Sequence, residues 1–181
     1  GIFQKTAKYE NFWKNELENA ELAEWTNHQL DAKFSVYEGV IKGDAELLPV
    51  IVAFLQRITG KLKTTFAYVP AGIPADQLLY SKWVPLTTEL ERNDSIENVL
   101  GRIAKKIKRV QNAITYRSDL MLRYPILTSL SGKQPQIYIA EAGADVSFVP
   151  AGVLLVQLSP EGASIKGLSA EVFQALEWFA Q

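Results

Sequence analysis

Few side chains in this sequence are suited to acid–base chemistry, and the first to consider is its single histidine. His28 lies in the segment WTNHQLDAK, between a predicted helix and a predicted strand. An imidazole titrates near neutral pH and is suited to act as a general base. No neighbouring motif supplies a nucleophile or a side chain that would orient the ring. We therefore interpret His28 as a polar surface residue of a connecting segment.

Two pairs of acidic residues are the next candidates, Asp44 with Glu46 and Asp94 with Glu97. Neither pair has the spacing of metal ligands. Each pair stands where a helix is predicted to begin, a position that acidic side chains favour. The chain has no cysteine, which excludes thiolate catalysis, disulfides and thiolate metal sites. Glycine motifs that bind phosphate are also absent from the sequence. The sequence thus predicts no catalytic, cofactor-binding or metal-ligating residue.

One cluster of basic residues lies on the longest predicted helix. It could dock an acidic partner or a phosphate, or it could be an ordinary solvated helix face. Aromatic residues interleaved with the charges, as single-stranded nucleic acid requires, are missing there. We favour the solvated face. The cluster consists of Arg102, Lys105, Lys106, Lys108 and Arg109.

Tryptophans are a further kind of candidate, because they anchor cores and also partner surfaces. The sequence leaves open which of the four are exposed. They are Trp13, Trp25, Trp83 and Trp178.

Composition limits the class of protein. The 181 residues suffice for one sizeable domain, and we expect a single domain over 1–181. With 19 basic and 20 acidic residues, the chain has no general attraction to nucleic acid or to an anionic membrane. No apolar stretch approaches the roughly 20 residues of a membrane-spanning helix. The lack of cysteine fits a cytoplasmic protein.

The first residues carry a separate indication. The opening GIFQKTAKYE lacks the apolar core of a signal peptide. The only methionine is Met121, so we expect that Gly1 was set by processing or by cutting from a larger polypeptide.

Helical periodicity predicts four helices. The second is apolar on nearly every side, with Asp44 as its N-cap and Gly60 as its left-handed end. The third carries an apolar stripe and begins with a capping box of Asp94 and Glu97. Ser169 caps the last helix. The predicted ranges are 8–22, 44–59, 94–114 and 169–181.

Runs of β-forming residues predict strands between these helices. The strand over 63–69 has no strongly polar face, so we place it inside a sheet. The extended segment 79–90 is broken by Pro85, which favours an edge or a bulge. The remaining strands are predicted at 33–41, 135–141 and 152–158.

The connections complete the predicted order. Residues 115–134 are a linker with a short helix or turn and an exposed loop around Ser131 and Gly132. After an SPEG turn, residues 163–167 (ASIKG) form only a short piece. The order α, β, α, β, β, α, β, β, α predicts an α/β two-layer sandwich, a mixed sheet covered by helices.

Several of these segments together resemble the C-terminal half of a condensation domain of nonribosomal peptide synthetases, one of the chloramphenicol-acetyltransferase-like acyltransferases. The most specific match is FLQRITG followed by KTTFAYVPAG, which is similar to the family's helix ending Leu-x-Arg-Leu-Thr-Gly and the strand after it. KYENFWKNELENAEL looks like the helix that opens the family's second half. DSIENVLGRIAKKIKRVQNA looks like the later helix with an acidic start. The resemblance implies one lobe of the acyltransferase fold.

The sequence departs from the family pattern in two segments. SKWVPLTTEL stands where the family has Phe-Val-Asn-Thr-Leu-Pro-Leu, but residues 82–85 read Lys-Trp-Val-Pro. In YRSDLMLRYPIL, Asp119 and Pro125 are farther apart than in the family's loop. The resemblance implies that a catalytic His-His-x-x-x-Asp-Gly motif belongs to the other half, and His28 does not correspond to it. It also implies a substrate tunnel between the halves, so one half alone should be inactive.

Three hypotheses follow. In the first, the chain is a truncated, catalytically incompetent condensation-like domain that serves as a docking platform for a neighbouring adenylation domain, with carrier domains nearby. In the second, the chain is half of an active acyltransferase whose histidine-bearing half lies elsewhere. In the third, it is an unrelated α/β binding module, and a different sheet order would favour that reading. We favour the first hypothesis.

Overall fold

A computed structural model of the chain describes residues 2–25, 37–44, 46–73, 78–130 and 132–181. Its helices and strands alternate irregularly, as the sequence predicts. His28, Ser131 and the first part of the predicted strand 33–41 lie outside the described residues.

The N-terminal helix differs from the predicted span 8–22. Two helices occupy the region, α1 over Ile2–Lys8 and α2 over Glu10–Glu18. Beyond α2 the backbone is extended, and Leu22 forms a parallel bridge with Thr65. The helix prediction was therefore wrong at its C-terminal end, because backbone pairing with a strand replaces the last helical turn. The helical spacing is correct where α2 buries Trp13 and Leu17.

Strand β1 covers Tyr37–Lys42, and α3 follows over Leu47–Thr59. The predicted N-cap Asp44 was wrong by two residues, because Glu46 occupies the cap position. Asp44 instead accepts the Glu46 backbone N–H at its Oδ1, at 2.9 Å, in the turn before the helix. The predicted end is confirmed. Gly60 has a φ of 70°, a left-handed conformation that glycine adopts without steric cost.

Among the described residues, six strands form one mixed sheet in the order β1-β6-β5-β4-β2-β3. Strand β2 lies between β3, its antiparallel neighbour, and β4, its parallel neighbour. Its predicted interior position is confirmed. Strand β3 lies at the sheet edge, where Pro85 is tolerated, as predicted. The strands are β2 Lys63–Val69, β3 Val84–Glu89, β4 Ile137–Ala140, β5 Leu154–Ser159 and β6 Gly162–Leu168.

Strand β6 corrects the prediction of a short piece at 163–167. It is a full strand that pairs antiparallel with β5 on one side and with β1 on the other. The backbones approach closely at the turn, since a Cβ on Gly162 would lie 2.0 Å from the carbonyl oxygen of Ile41. Cross-strand pairing on both sides makes this segment a strand, and local sequence does not encode that pairing.

Helix α4 covers Ile96–Ala113 and buries its predicted stripe along most of its length. Ile96, at the first turn, is half exposed. The predicted capping box was wrong by one residue. Ser95 is the N-cap, and its side chain accepts the Asn98 N–H at 3.3 Å. The linker then holds a short helix, α5, over Leu120–Arg123 and a 3-10 segment over Pro125–Leu130.

The last helix, α6, covers Ala170–Phe179 and is capped by Ser169 as predicted. The larger apolar cluster lies between the helices and one sheet face, which includes Phe66 and Tyr68 of β2. A smaller cluster on the opposite face includes Ala67 and Val69, packed against the segment that carries Phe148. The prediction of an α/β two-layer sandwich with a mixed sheet is confirmed.

Candidate functional site

The sheet topology brings the carboxyl ends of four strands to one edge. Strand β4 runs parallel to β2 and to β5. Strand β1 has the same direction, because both β1 and β5 are antiparallel to β6. In open α/β sheets, ligands bind in the crevice outside the carboxyl ends of the strands. This edge is therefore where a site is expected.

A cleft of about 1070 Å³ lies at this edge, between the start of α3, one face of α4 and the ends of β4 and β5. We call it the carboxyl-edge cleft. Its volume is slightly above the usual range for small-molecule pockets. Its apolar lining includes Leu47, Leu48, Leu100, Ala104, Ile107 and Leu158.

A hydrogen-bonded network of polar side chains reaches the cleft from beneath. The hydroxyl of Tyr68, near the end of β2, donates to Oε1 of Glu141 at 2.7 Å. The other carboxylate oxygen accepts the backbone N–H of Ala71 at 2.7 Å. Gln111 of α4 donates from Nε2 to the Tyr68 oxygen at 2.9 Å. Together these bonds tie α4 to the ends of β2 and β4 and fix the turn after β2.

Electrostatics keep the tyrosine of this network neutral. Tyr68 is 0% exposed, and its burial raises the pKa of the phenol far above the ordinary value. The neighbouring Glu141 carboxylate raises that pKa further, because a phenolate would face a like charge. A buried phenol that already donates to a carboxylate is a poor general base near neutral pH. The network holds structure at the cleft wall.

Three acidic residues from the two sequence-based pairs reach the cleft rim. Asp44 and Glu46 both line it, and so does Glu97. Asp94 does not; it pairs with Arg102 instead. Across the part of the chain that the structure describes, no three histidine, aspartate or glutamate side chains gather as a possible metal site. Both pairs therefore lie at the start of a helix, as predicted. The N-cap residues of these helices are Glu46 and Ser95.

The basic cluster of α4 is largely engaged within the chain. Arg102 pairs with Glu91 and Asp94. The Lys106 ammonium binds Oε1 of Glu16 at 2.5 Å, and the Lys106 side chain is 23% exposed. Arg109 stacks over the ring of Phe12, with 5.5 Å between guanidinium carbon and ring centroid. Much of the predicted basic face therefore packs α4 against α2 and against the segment that precedes α4, which the linear sequence did not indicate.

The tryptophans divide between core and surface. Trp13 is fully buried, whereas Trp25 and Trp83 are half-buried. The backbone N–H of Trp25 donates to the side chain of Gln136. Trp178 of α6 is 77% exposed. No helix within the described ranges is long and apolar enough to cross a membrane.

Sequence reasoning missed the Tyr68 network and the cleft. A partial signal was present, because Glu141 follows directly after the apolar strand β4, where carboxyl-edge residues gather. Gln111 carries no such signal. It joins the network only because α4 packs back across the sheet toward β2.

Comparison with known proteins places the fold. No protein-family profile matches the chain, and no curated protein does at a significant level. Solved structures of condensation domains do match. The first condensation domain of the CDA synthetase aligns over 97% of this chain and 48% of its own length, with 14% identity and a TM-score of 0.59. A starter condensation domain of rhizomide synthetase, bound to C8-CoA, aligns over 98% and 53%, with 13% identity and a TM-score of 0.59.

The chain thus has the fold of one half of a condensation domain, a lobe of the chloramphenicol-acetyltransferase-like fold. It spans about half the length of the condensation domains that it matches. The predicted resemblance to nonribosomal peptide synthetase condensation domains is confirmed at the level of fold. A different sheet order would have favoured the third hypothesis, and the match in fold does not supply that support.

Proposed function

We propose that the chain is the non-catalytic half of a condensation-like domain of a nonribosomal peptide synthetase. In this proposal residues 1–181 form one subdomain that makes no amide or ester bond alone and serves as a platform for an adjoining adenylation domain. The observation that carries the proposal is the match in fold, which covers nearly all of this chain but about half of each condensation domain. The lack of cysteine fits a place in the cytoplasm beside adenylation and carrier domains.

The chemistry of the described residues supports inactivity of the isolated chain. Acyl transfer to an amine or alcohol needs a positioned base and two positioned reactants. Glu141 lines the carboxyl-edge cleft, and Tyr68 is fully buried beneath it. They are bonded to each other and to the turn after β2. They therefore support the wall of a channel rather than acting on a substrate.

An exposed aromatic side chain supports the platform role. Trp178 lies on α6, which packs against β1 and α3. The Trp178 side chain is 77% exposed, and contact of its apolar ring with water is unfavourable. Tryptophans are enriched among the residues that anchor protein interfaces. We therefore place the contact with the adenylation domain on the outer face of α6.

The test measures activity and binding separately. The purified chain should form no product from a carrier-bound thioester and a carrier-bound amine, as followed by mass spectrometry. By isothermal titration it should bind the adenylation domain encoded beside it, and Trp178→Ala should weaken that binding at least tenfold. Leu122→Ala is the matched control, since Leu122 is 85% exposed on α5 and should leave binding unchanged. Product formation by the chain alone would contradict the proposal, and so would undiminished binding by Trp178→Ala.

A second candidate is half of a working acyltransferase, favoured by the open cleft at the carboxyl edge. In that case this chain supplies one wall of the channel and another half supplies the histidine. Adding the histidine-bearing half, encoded upstream or on another chain, should then restore transfer activity. If the mixed halves bind each other but form no product, the first candidate is favoured.

A further inference from the structure

Strand β1 stands at one end of the sheet, and every second residue of it points its backbone groups away from the sheet. On the inner side, the carbonyl of Ile41 points toward β6, because a Cβ on Gly162 would overlap its oxygen. The Gly43 N–H also donates inward, to the carbonyl oxygen of Glu161 at 3.2 Å. Backbone groups alternate in direction along an antiparallel strand, so the intervening residues face outward. These residues are Glu38, Val40 and Lys42.

The outer edge of β1 is a template for a further strand. Within the described ranges, no strand or bridge pairs with it. A row of outward N–H and C=O groups of this kind can pair with another chain. The same residues also have exposed side chains, and Val40 is 62% exposed. Lys42 stands opposite Gly162 of β6, which offers no side chain to its charge.

A second copy of the chain fits this edge in one register. When two copies of β1 run antiparallel about a two-fold axis at Val40, each Val40 lies opposite the other. Glu38 of each copy then lies opposite Lys42 of the other, on the same face of the joined sheet. Opposite charges across a strand pair are favourable, and like charges are unfavourable. Parallel pairing in register would oppose each charge to itself, and moving the axis by one residue would place Val40 opposite a charge.

We propose that the chain forms a two-fold dimer in which the outer edges of β1 pair and join the two sheets. The occupant of this edge is therefore a second copy of the chain. A symmetric contact closes at two copies and does not extend into a fibre. The other end of the sheet is a poorer template, because proline in an edge strand has no N–H to donate and β3 contains Pro85. The inference concerns self-association and does not depend on docking of an adenylation domain.

Sedimentation velocity of the 181-residue chain measures the association directly. One strand pair buries a small area, so we expect a weak dimer with a dissociation constant of roughly 10 µM to 1 mM. Over this range of protein concentration, the mass should rise from that of one chain toward that of two. Species larger than a dimer should not form.

Charge reversal tests the register. Lys42→Glu sets two carboxylates opposite each other at both ends of the strand pair and should weaken the dimer about tenfold. Adding Glu38→Lys to this variant restores opposite charges and should recover most of the affinity. Lys133→Glu is the control, since it makes the same change in net charge at an exposed position outside β1. Thermal melting verifies the fold of the double variant, because position 38 also faces Lys166 of β6.

Cross-linking locates the two-fold axis, since the chain has no cysteine of its own. Opposed residues of a hydrogen-bonded antiparallel pair have Cα atoms about 5.5 Å apart, within reach of a disulfide. Val40→Cys should therefore give a covalent dimer on a non-reducing gel after mild oxidation. Glu38→Cys is the matched control and should remain monomeric, because the two copies of position 38 would lie about 14 Å apart along the strands.

The outcomes separate this dimer from other association. Support comes from a concentration-dependent mass, rescue of Lys42→Glu by the second reversal, and cross-linking at position 40 alone. A mass that stays at one chain at the highest concentration would overturn the proposal. So would a dimer that Lys42→Glu leaves intact, or equal cross-linking at positions 38 and 40. None of these results bears on the docking test, which concerns α6.

Discussion

The buried phenol of Tyr68 makes the stability of this protein fall at alkaline pH, and Tyr68→Phe isolates the effect. Tyr68 is 0% exposed and donates to the Glu141 carboxylate. Burial, and then the carboxylate, raise its pKa in the folded state above the ordinary value of 10.0. An unfolded chain exposes the same phenol to water. Folded and unfolded states therefore bind different numbers of protons above pH 10.

The sign and size follow from proton linkage. Below pH 10 both states keep the phenol protonated, and its contribution to stability is fully present. As pH rises above the unfolded value, the unfolded state loses a proton that the folded state retains, so the free energy of unfolding falls. The fall is about 1.4 kcal/mol per pH unit for one group, which gives a loss of about 1.4 kcal/mol at pH 11.

Tyr68→Phe removes this group and also two hydrogen bonds. At pH 8 we expect the free energy of unfolding of the variant to be about 1–2 kcal/mol lower than that of the parent, because Glu141 and Gln111 each lose a hydrogen-bond partner. The loss is limited because Glu141 is partly exposed to solvent. From pH 8 to pH 11 this deficit should shrink by about 1.4 kcal/mol, since only the parent chain carries the linkage. Urea unfolding followed by tryptophan fluorescence measures both free energies. The other buried tyrosines cancel in the difference.

A second variant separates the two causes of the raised pKa. Glu141→Gln removes the negative charge but leaves Tyr68 buried. Because burial is the larger cause, this variant should keep the alkaline loss of stability. A deficit between parent and Tyr68→Phe that stays constant from pH 8 to pH 11 would refute the reasoning. It would show that the phenol ionises as readily in the folded state as in the unfolded one.

Three further perturbations test the core and the helix starts. Phe54→Ala removes a ring that is 7% exposed and should cost about 3–5 kcal/mol, measured by thermal denaturation; a melting temperature equal to the parent's would disprove its burial. Gln56→Leu breaks hydrogen bonds to the backbone carbonyl and hydroxyl of Thr88 and should cost about 2 kcal/mol. In a urea-unfolding cycle with Thr88→Val the two losses should not add, and simple additivity would argue against the pair. Ser95→Ala should cost about 1 kcal/mol of unfolding free energy as loss of the α4 cap, and Asp94→Ala should cost less, because Asp94 is not the cap; the reverse ranking would favour the cap position predicted from sequence.

Gln56 shows why part of the core was invisible in the sequence. In the sequence it is a polar residue near the end of the otherwise apolar helix α3. In the structure it is 0% exposed and joins α3 to the segment after it and to β3. The partner Thr88 is distant in sequence. Only packing of α3 on the sheet supplies the acceptors and donor that make a buried amide stable.

Prediction succeeded where the signal was local and periodic. Four features were predicted correctly because each depends on residues that are close together in the sequence. They are the apolar stripe of α4, the left-handed end of α3 at Gly60, the Ser169 cap of α6 and the interior strand 63–69. It failed at element boundaries where pairing with a distant strand replaces the local helical conformation, as at Leu22, which pairs with Thr65. It also failed for β6, since a strand between two partners is stabilised by both of them rather than by its own propensity.

The amino-acid sequence by itself determined the fold class, the covering helices and the absence of cysteine chemistry, because hydrophobic periodicity and composition are properties of the chain. Tertiary structure decided where function could reside. The common direction of β1, β2, β4 and β5 brought Asp44, Tyr68 and Glu141 to one edge, and α4 laid Gly101 along the same cleft. Strand order and direction arise from long-range pairing, so no local pattern contains them.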